Sequence, residues 1–275
     1  MLLEFEIPPK IILEKKDLKI NDIILKYFES GIGRENLIFI HGFTGSIDEW
    51  HFQITEFQKY YKIFCFNMRG HGGSELGTEV SFEILTQDLK NFIDILKIKD
   101  PIIIGHSLGG IICLNYAIRY PFNLKKLVIV DGLPFFKQNM PLELVERFSE
   151  KEILDFFSHQ LTLSKQKIPV NKLEFYEKLK AWSIDRREKA INGRMLKKYF
   201  EALRAFDLTQ QLKEIKIPTL VVFGEEDRIL NSQVVESYKK IKNCQFITFK
   251  ECGHSPPREY IKEFNDLLHK FLKRI

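Results

Sequence analysis

Gly105-His106-Ser107-Leu108-Gly109 is the stretch of this chain best suited to nucleophilic chemistry, a serine with a glycine two residues away on each side. The run Pro101 to Ile104 before it is apolar enough for a buried strand, and Ile111 to Ala117 after it reads as a buried helix. A serine in that strand–turn–helix setting sits on a nucleophile elbow. The turn is so tight that the serine backbone is strained, and side chains two positions away would collide, so glycines occupy those places. Gly110 lets the helix pack close to the strand. The helix then aims its N-terminal N–H groups and positive dipole end at the place where an oxyanion would form.

A serine nucleophile needs a base, and the base needs a carboxylate to hold its tautomer and stabilise the imidazolium. Around an elbow of this kind the three follow in the order serine, acid, histidine. His254 in Gly253-His254, after the last strand signal, is the expected base. Asp227, which ends Gly224-Glu225-Glu226-Asp227, is the expected acid, and Glu225 and Glu226 are expected to be solvated. Asp131, at the end of the strand that follows the elbow helix, is a rival for the acid; its alternative role is to cap a loop or helix. His41, His71 and His106 lie on earlier loops and read as residues that shape turns, while His51, His159 and His269 read as surface residues. The oxyanion donors should be the backbone N–H groups of Leu108 and of Phe43, where Gly42 allows close backbone approach. This chemistry needs no metal and no cofactor.

The elements that must position these residues follow from the pattern of apolar runs. Asn36–Ile40, Lys62–Asn67, Ile102–Ile104, Lys126–Asp131 and Ile217–Gly224 read as strands. Helices are expected over 50–60, over 82–97 behind an N-cap at Ser81, over 233–241 and over 259–273, with a final strand at 245–249. Strands that are apolar throughout, alternating with helices, predict an α/β fold: a mostly parallel, doubly wound sheet covered by helices on both faces. Ile11–Glu14 and Ile23–Tyr27 are expected to pair antiparallel around Asn21-Asp22. From 133 to 212 strand signals vanish and segments rich in Phe, Leu, Lys and Glu take over, which predicts a helical cap inserted between core segments 1–132 and 213–275. Its aromatics suit an apolar acyl pocket over Ser107, with Trp182 the first candidate for the lining.

Composition excludes several classes. The net charge of +5 arises from 42 basic and 37 acidic residues mixed along the chain, without the basic block that a nucleic-acid partner would imply. Met1 to Glu6 is broken by glutamates and is no signal peptide, and no run reaches the roughly 18 apolar residues of a membrane span. Cys65, Cys113, Cys244 and Cys252 lack metal or redox spacing and read as reduced thiols of a cytoplasmic protein.

His41-Gly42-Phe43-Thr44-Gly45, Arg69-Gly70-His71-Gly72-Gly73-Ser74, Gly105 to Gly110, Gly224 to Asp227 and Gly253-His254-Ser255-Pro256-Pro257 together resemble the α/β-hydrolase fold superfamily, in its cap-bearing, esterase-like branch. The resemblance implies a serine esterase acting on a small-molecule ester or related acyl substrate. Asn67 departs from the pattern, since many relatives carry aspartate there. Ser107 argues against the carbon–halogen and epoxide hydrolases, which use aspartate at the elbow. Ile111, where menaquinone-pathway synthases commonly carry arginine, weakens that reading despite the shared His-Gly-Phe loop and Trp50. Carbon–carbon hydrolases and cofactor-free perhydrolases share the same three residues and stay open. A non-catalytic receptor on the same fold stays open too, although an intact Ser–Asp–His set argues against it.

Overall fold

A computed structural model of the chain describes residues 13–137, 149, 174, 193–203 and 205–273. The strands among them are β1 (Lys16–Ile20), β2 (Ile23–Ser30), β3 (Asn36–Ile40), β4 (Lys62–Phe66), β5 (Ile102–His106), β6 (Lys126–Val130), β7 (Phe135–Lys137), β8 (Ala205–Asp207), β9 (Thr219–Gly224) and β10 (Cys244–Phe249). Eight of them form one sheet in the order β1-β2-β4-β3-β5-β6-β9-β10. β1 and β2 run antiparallel to each other, β2 runs antiparallel to β4, and every other pairing in that sheet is parallel.

The central strands are buried on both faces because their apolar residues divide strictly by alternation. Ile38, Ile40, Ile103, Leu127, Ile129, Val221 and Phe223 face one core, which α2 (Phe82–Ile95), α3 (Leu108–Arg119) and α5 (Ser232–Tyr238) cover. Leu37, Phe39, Ile102, Ile104, Val128, Val130, Leu220 and Val222 face the other, which α1 (His51–Phe57) and α7 (Ile261–Lys273) cover. Ser81 caps α2 as expected, its side chain accepting from Ile84 N. Among the described residues no helix is long and apolar enough to cross a membrane.

Three expectations need correction. The partner of β2 stands at Lys16–Ile20; of the expected strand Ile11–Glu14, Leu13 and Glu14 are not strand, and Ile11 and Ile12 lie outside the described residues. The two-residue turn Asn21-Asp22 pairs Ile20 with Ile23, so the partner strand must abut it, and Asn21 takes the positive φ of 50° that such a turn requires. Lys16-Asp17-Leu18-Lys19-Ile20 is a polar edge strand, which a search for apolar runs passes over. The described residues of the 133–212 stretch include a helix, α4 (Gly193–Leu203), but also strand: β7 and β8 pair antiparallel as a two-stranded ribbon, each too short to leave a periodic signal. His51 is buried rather than on the surface, because α1 packs against α6 (Pro256–Glu259) and α7 and buries it together with Gln53, Ile54 and Phe57. His269 is half-buried on the Phe57 ring, with Nε2 3.0 Å from Glu56 Oε1. Trp182 and His159 lie outside the described residues, as does most of the expected cap.

Asn67 shows what its departure from the usual aspartate does. It is fully buried after β4, its Oδ1 accepts from Ile47 N at 2.7 Å, and its Nδ2 donates to Gly72 O at 2.9 Å. One amide thus ties the loop after β3 to the Arg69–Ser74 turn. That turn is further held by the buried Arg69–Asp88 pair, Nε to Oδ2 at 2.5 Å. An aspartate at 67 would keep the acceptor and lose the donor, leaving Gly72 O facing a carboxylate. Asn67→Asp is expected to cost about 1–3 kcal/mol of unfolding free energy, read by denaturant titration at neutral pH. A variant as stable as the parent would contradict this account of the site.

Candidate active site

Ser107 joins β5 directly to α3 with φ 51° and ψ −115°, a conformation that a residue with a side chain adopts only under constraint from its surroundings. Those surroundings are backbone. A methyl group on Gly105 would come within 2.3 Å of Gly109 O, and one on Gly109 within 2.3 Å of Ile40 O. Both glycines therefore mark the crossing of β5, α3 and the end of β3. Ser107 N donates to Val130 O at 2.8 Å, which anchors the elbow to the next strand. The N-terminus of α3 has no side-chain cap, so its first-turn N–H groups face the site.

The loop after β3 is pinned at successive peptide groups. His41 Nε2 accepts from Met68 N at 3.1 Å, so its other nitrogen carries the proton and donates to Gly42 O at 2.7 Å. Burial, with His71 nearby, pushes the His41 ring down to about 3, and it is neutral. His71 Nε2 donates to Phe43 O at 2.6 Å, which fixes the orientation of the Phe43 peptide. Gly42 N donates to the Glu49 carboxylate at 3.2 Å, and Glu49 Oε1 lies 2.5 Å from His106 Nδ1. His106 Nε2 in turn donates to the backbone oxygen of His254 at 2.7 Å. Burial alone would raise the Glu49 carboxyl, but the attraction of His106 and their hydrogen bond outweigh it, with Arg258 and His41 adding, and hold it at about 2. Glu49 went unnoticed in the sequence, where its only signal is an acidic residue beside the apolar Trp50.

At the ends of β6, β9 and β10 the structure brings the remaining candidates together. His254 Nδ1 lies 2.7 Å from Asp227 Oδ2, and both side chains are almost wholly buried. Asp227 Oδ1 also accepts from Ile229 N at 3.2 Å. Burial pushes the Asp227 carboxyl up, but His254, the Ile229 N–H and contact with Asp131 together bring it below the usual carboxylate range. His254 Nε2 is buried, and among the described residues no hydrogen-bond partner reaches it. Asp131 does not touch His254 by hydrogen bond; its Oδ1 accepts from Gly224 N at 3.0 Å. Glu225 is exposed and Glu226 half-buried.

Ligand-type atoms of His106, Asp131 and His254 lie within 4.8 Å of one another. Both ring nitrogens of His106 and Nδ1 of His254 are already hydrogen-bonded, so the cluster joins three loops and is poorly suited to holding an ion. Among the groups lining the site the raised Asp131 carboxyl works in the opposite sense, but it is outnumbered by three depressed groups, His41, His71 and Glu49, which set the sign of the pH response. Each of the three binds fewer protons folded than unfolded, so its contribution is complete above its unfolded value and fades as pH falls. Unfolding free energy is expected to decline from about pH 6.5, where unfolded His41 titrates, and more steeply below about 4.5, where Glu49 joins it. Denaturant titrations across that window check this, and a flat profile would contradict it.

A model of the alpha/beta hydrolase fold family matches residues 35–257. The chain is 30% identical over 255 residues to a pimeloyl-[acyl-carrier protein] methyl ester esterase of Wigglesworthia glossinidia brevipalpis, covering 89% of this chain and 96% of that one. It is 25% identical to a 2-hydroxy-6-oxononadienedioate/2-hydroxy-6-oxononatrienedioate hydrolase of Paraburkholderia phymatum, with 91% of each chain covered. Among solved structures, the enol-lactonase of Burkholderia xenovorans LB400 superposes with a TM-score of 0.82 at 19% identity, covering 94% of this chain and 100% of that one. With the family match spanning most of its length, the chain belongs to the α/β hydrolase fold family.

Proposed function

We propose that this hydrolase cleaves carboxylic esters through an acyl-enzyme on Ser107, with His254 as general base and Asp227 as the acid that orients it. One observation carries the reading. His254 presents a buried, unpartnered Nε2 while its Nδ1 is fixed on Asp227, the arrangement a proton acceptor for a serine hydroxyl requires.

In the proposed cycle Ser107 Oγ attacks the ester carbonyl and its proton passes to His254 Nε2. The backbone N–H groups of Leu108 and Phe43 receive the oxyanion. His254 then gives its proton to the departing alkoxide, and a water that it deprotonates attacks the acyl-enzyme. The bond to Ser107 Oγ breaks as His254 returns that proton to the serine and the carboxylic acid leaves. Protons balance without a cofactor. The stretch 133–212 is the proposed cap over this site. The esterase relative is named for a methyl ester of an acyl-carrier-protein-bound acid, which supports a small acyl ester as substrate. The 2-hydroxy-6-oxo-dienedioate hydrolase relative favours a second reading, cleavage of a carbon–carbon bond by the same three residues. Turnover of p-nitrophenyl butyrate against that of a 2-hydroxy-6-oxo-dienoate separates the two.

Ser107→Ala is expected to lower kcat on p-nitrophenyl butyrate by roughly 10⁴-fold or more with the fold intact by circular dichroism. Asp227→Asn should cost about 10⁴-fold near neutral pH, because the amide favours the wrong tautomer of His254. Near-normal turnover by either folded variant would contradict the assignment.

A further inference from the structure

Asp131 is a fully buried carboxyl at the positive φ of 47°, and the proposed cycle leaves it without a role. Its backbone N–H donates to Val222 O at 2.9 Å, which sets it beside β9. Its Oδ1 accepts from Gly224 N at 3.0 Å. Among the described residues its Oδ2 receives no N–H: His106 Nε2 stands 3.9 Å away and already donates to His254 O. The Asp131 carboxyl is, however, in hydrogen-bonding contact with the carboxyl of Asp227.

Two buried carboxylates in contact cannot both be charged, so the pair holds one proton. Asp227 has the stronger claim to the charge, since it receives both the His254 ring N–H and Ile229 N. We propose that Asp131 is a positioning residue that remains a neutral carboxylic acid and donates its O–H to the Asp227 carboxylate, holding it on His254. The proposal rests on the Ser107–Asp227–His254 reading. It gives the orphaned Oδ2 a partner and explains why a second acid is buried at the end of the neighbouring strand. The titration behaviour agrees. Burial and then the charge of Asp227 push the Asp131 carboxyl well above the carboxylate range, and Glu259 adds to the rise. The other groups facing it are His254 and His106, with Glu49 behind the latter, and the Cys252 thiol and the Tyr238 hydroxyl; the hydroxyl itself donates to Gly132 O at 2.6 Å.

An asparagine reproduces the proposed group, since its oxygen can accept from Gly224 N and its amide can donate to Asp227. A leucine fills the space and donates nothing. At neutral pH the infrared difference spectrum between the parent and Asp131→Asn should contain the C=O stretch of a protonated carboxylic acid, and Ser107→Ala should retain that band. Asp131→Asn should keep kcat within about tenfold of the parent. Asp131→Leu should lose about ten- to a hundredfold in kcat with KM nearly unchanged, the effect of one hydrogen bond to a charged group. It should also move the acid limb of the kcat/KM profile to higher pH, because a more basic Asp227 makes His254 hold its proton more tightly. No protonated-acid band in the parent, or a folded Asp131→Leu with parental kcat and an unmoved acid limb, would overturn the proposal while an inactive Asp227→Asn leaves the triad standing. An inactive Asp131→Asn beside an active Asp227→Asn would overturn both.

Discussion

The backbone of Ser107, held at φ 51° where β5 turns into α3, is the constraint on which the rest of the structure depends. The conformation is unfavourable for a serine on its own, costing on the order of 1–3 kcal/mol, so it persists only because the surroundings leave no alternative. Those surroundings begin with the largely apolar, buried strands β3, β5 and β6, whose two buried faces fix the sheet and hence the point where β5 must end. Glycines at 105 and 109 then let α3 cross within backbone contact of β5 and β3. The consequence is chemical. Ser107 is left partly exposed at the N-terminal end of a helix that has no side-chain cap.

A second layer of buried polar groups registers the neighbouring loops to that elbow. Glu49 reaches Gly42 N on one side and His106 on the other, and His106 reaches the backbone of His254. The residue just before the serine is therefore bonded to the loop that follows β3 and to the loop that follows β10. Buried polar groups of this kind are costly when left unpaired, and both ring nitrogens of His41, His71 and His106 are hydrogen-bonded. Asn67 and His41 extend the same logic outward, each with one donor and one acceptor used on backbone. Beside those three rings His254 differs, since among the described residues its Nε2 has no hydrogen-bond partner.

The sheet and the elbow were legible in the sequence because both are written in local terms: continuous apolar runs, and glycines at a spacing that only a backbone crossing explains. The candidates Asp227 and His254 were legible because each follows a strand signal, and in a parallel sheet the carboxyl ends of strands converge on one side. What escaped was whatever depends on a partner distant in the chain. β1 is polar because it is an edge strand, β7 and β8 are too short to show a period, and His51 is buried only because α6 and α7 close over α1. Glu49 looked like any surface acid, since its partners Gly42 and His106 lie 7 and 57 residues away. Asp131 and Asp227 could not be ranked by geometry from sequence, because both end neighbouring strands; their different hydrogen-bond partners separate them.

The central claim is that the strained elbow presents an activated serine. Covalent capture tests it most directly. The parent protein is treated with a fluorophosphonate, its intact mass measured, and the labelled peptide sequenced. The account predicts one adduct per chain, on Ser107, with labelling abolished in Ser107→Ala and strongly slowed in Asp227→Asn. No adduct on the folded parent, or an adduct on a different serine, would contradict it.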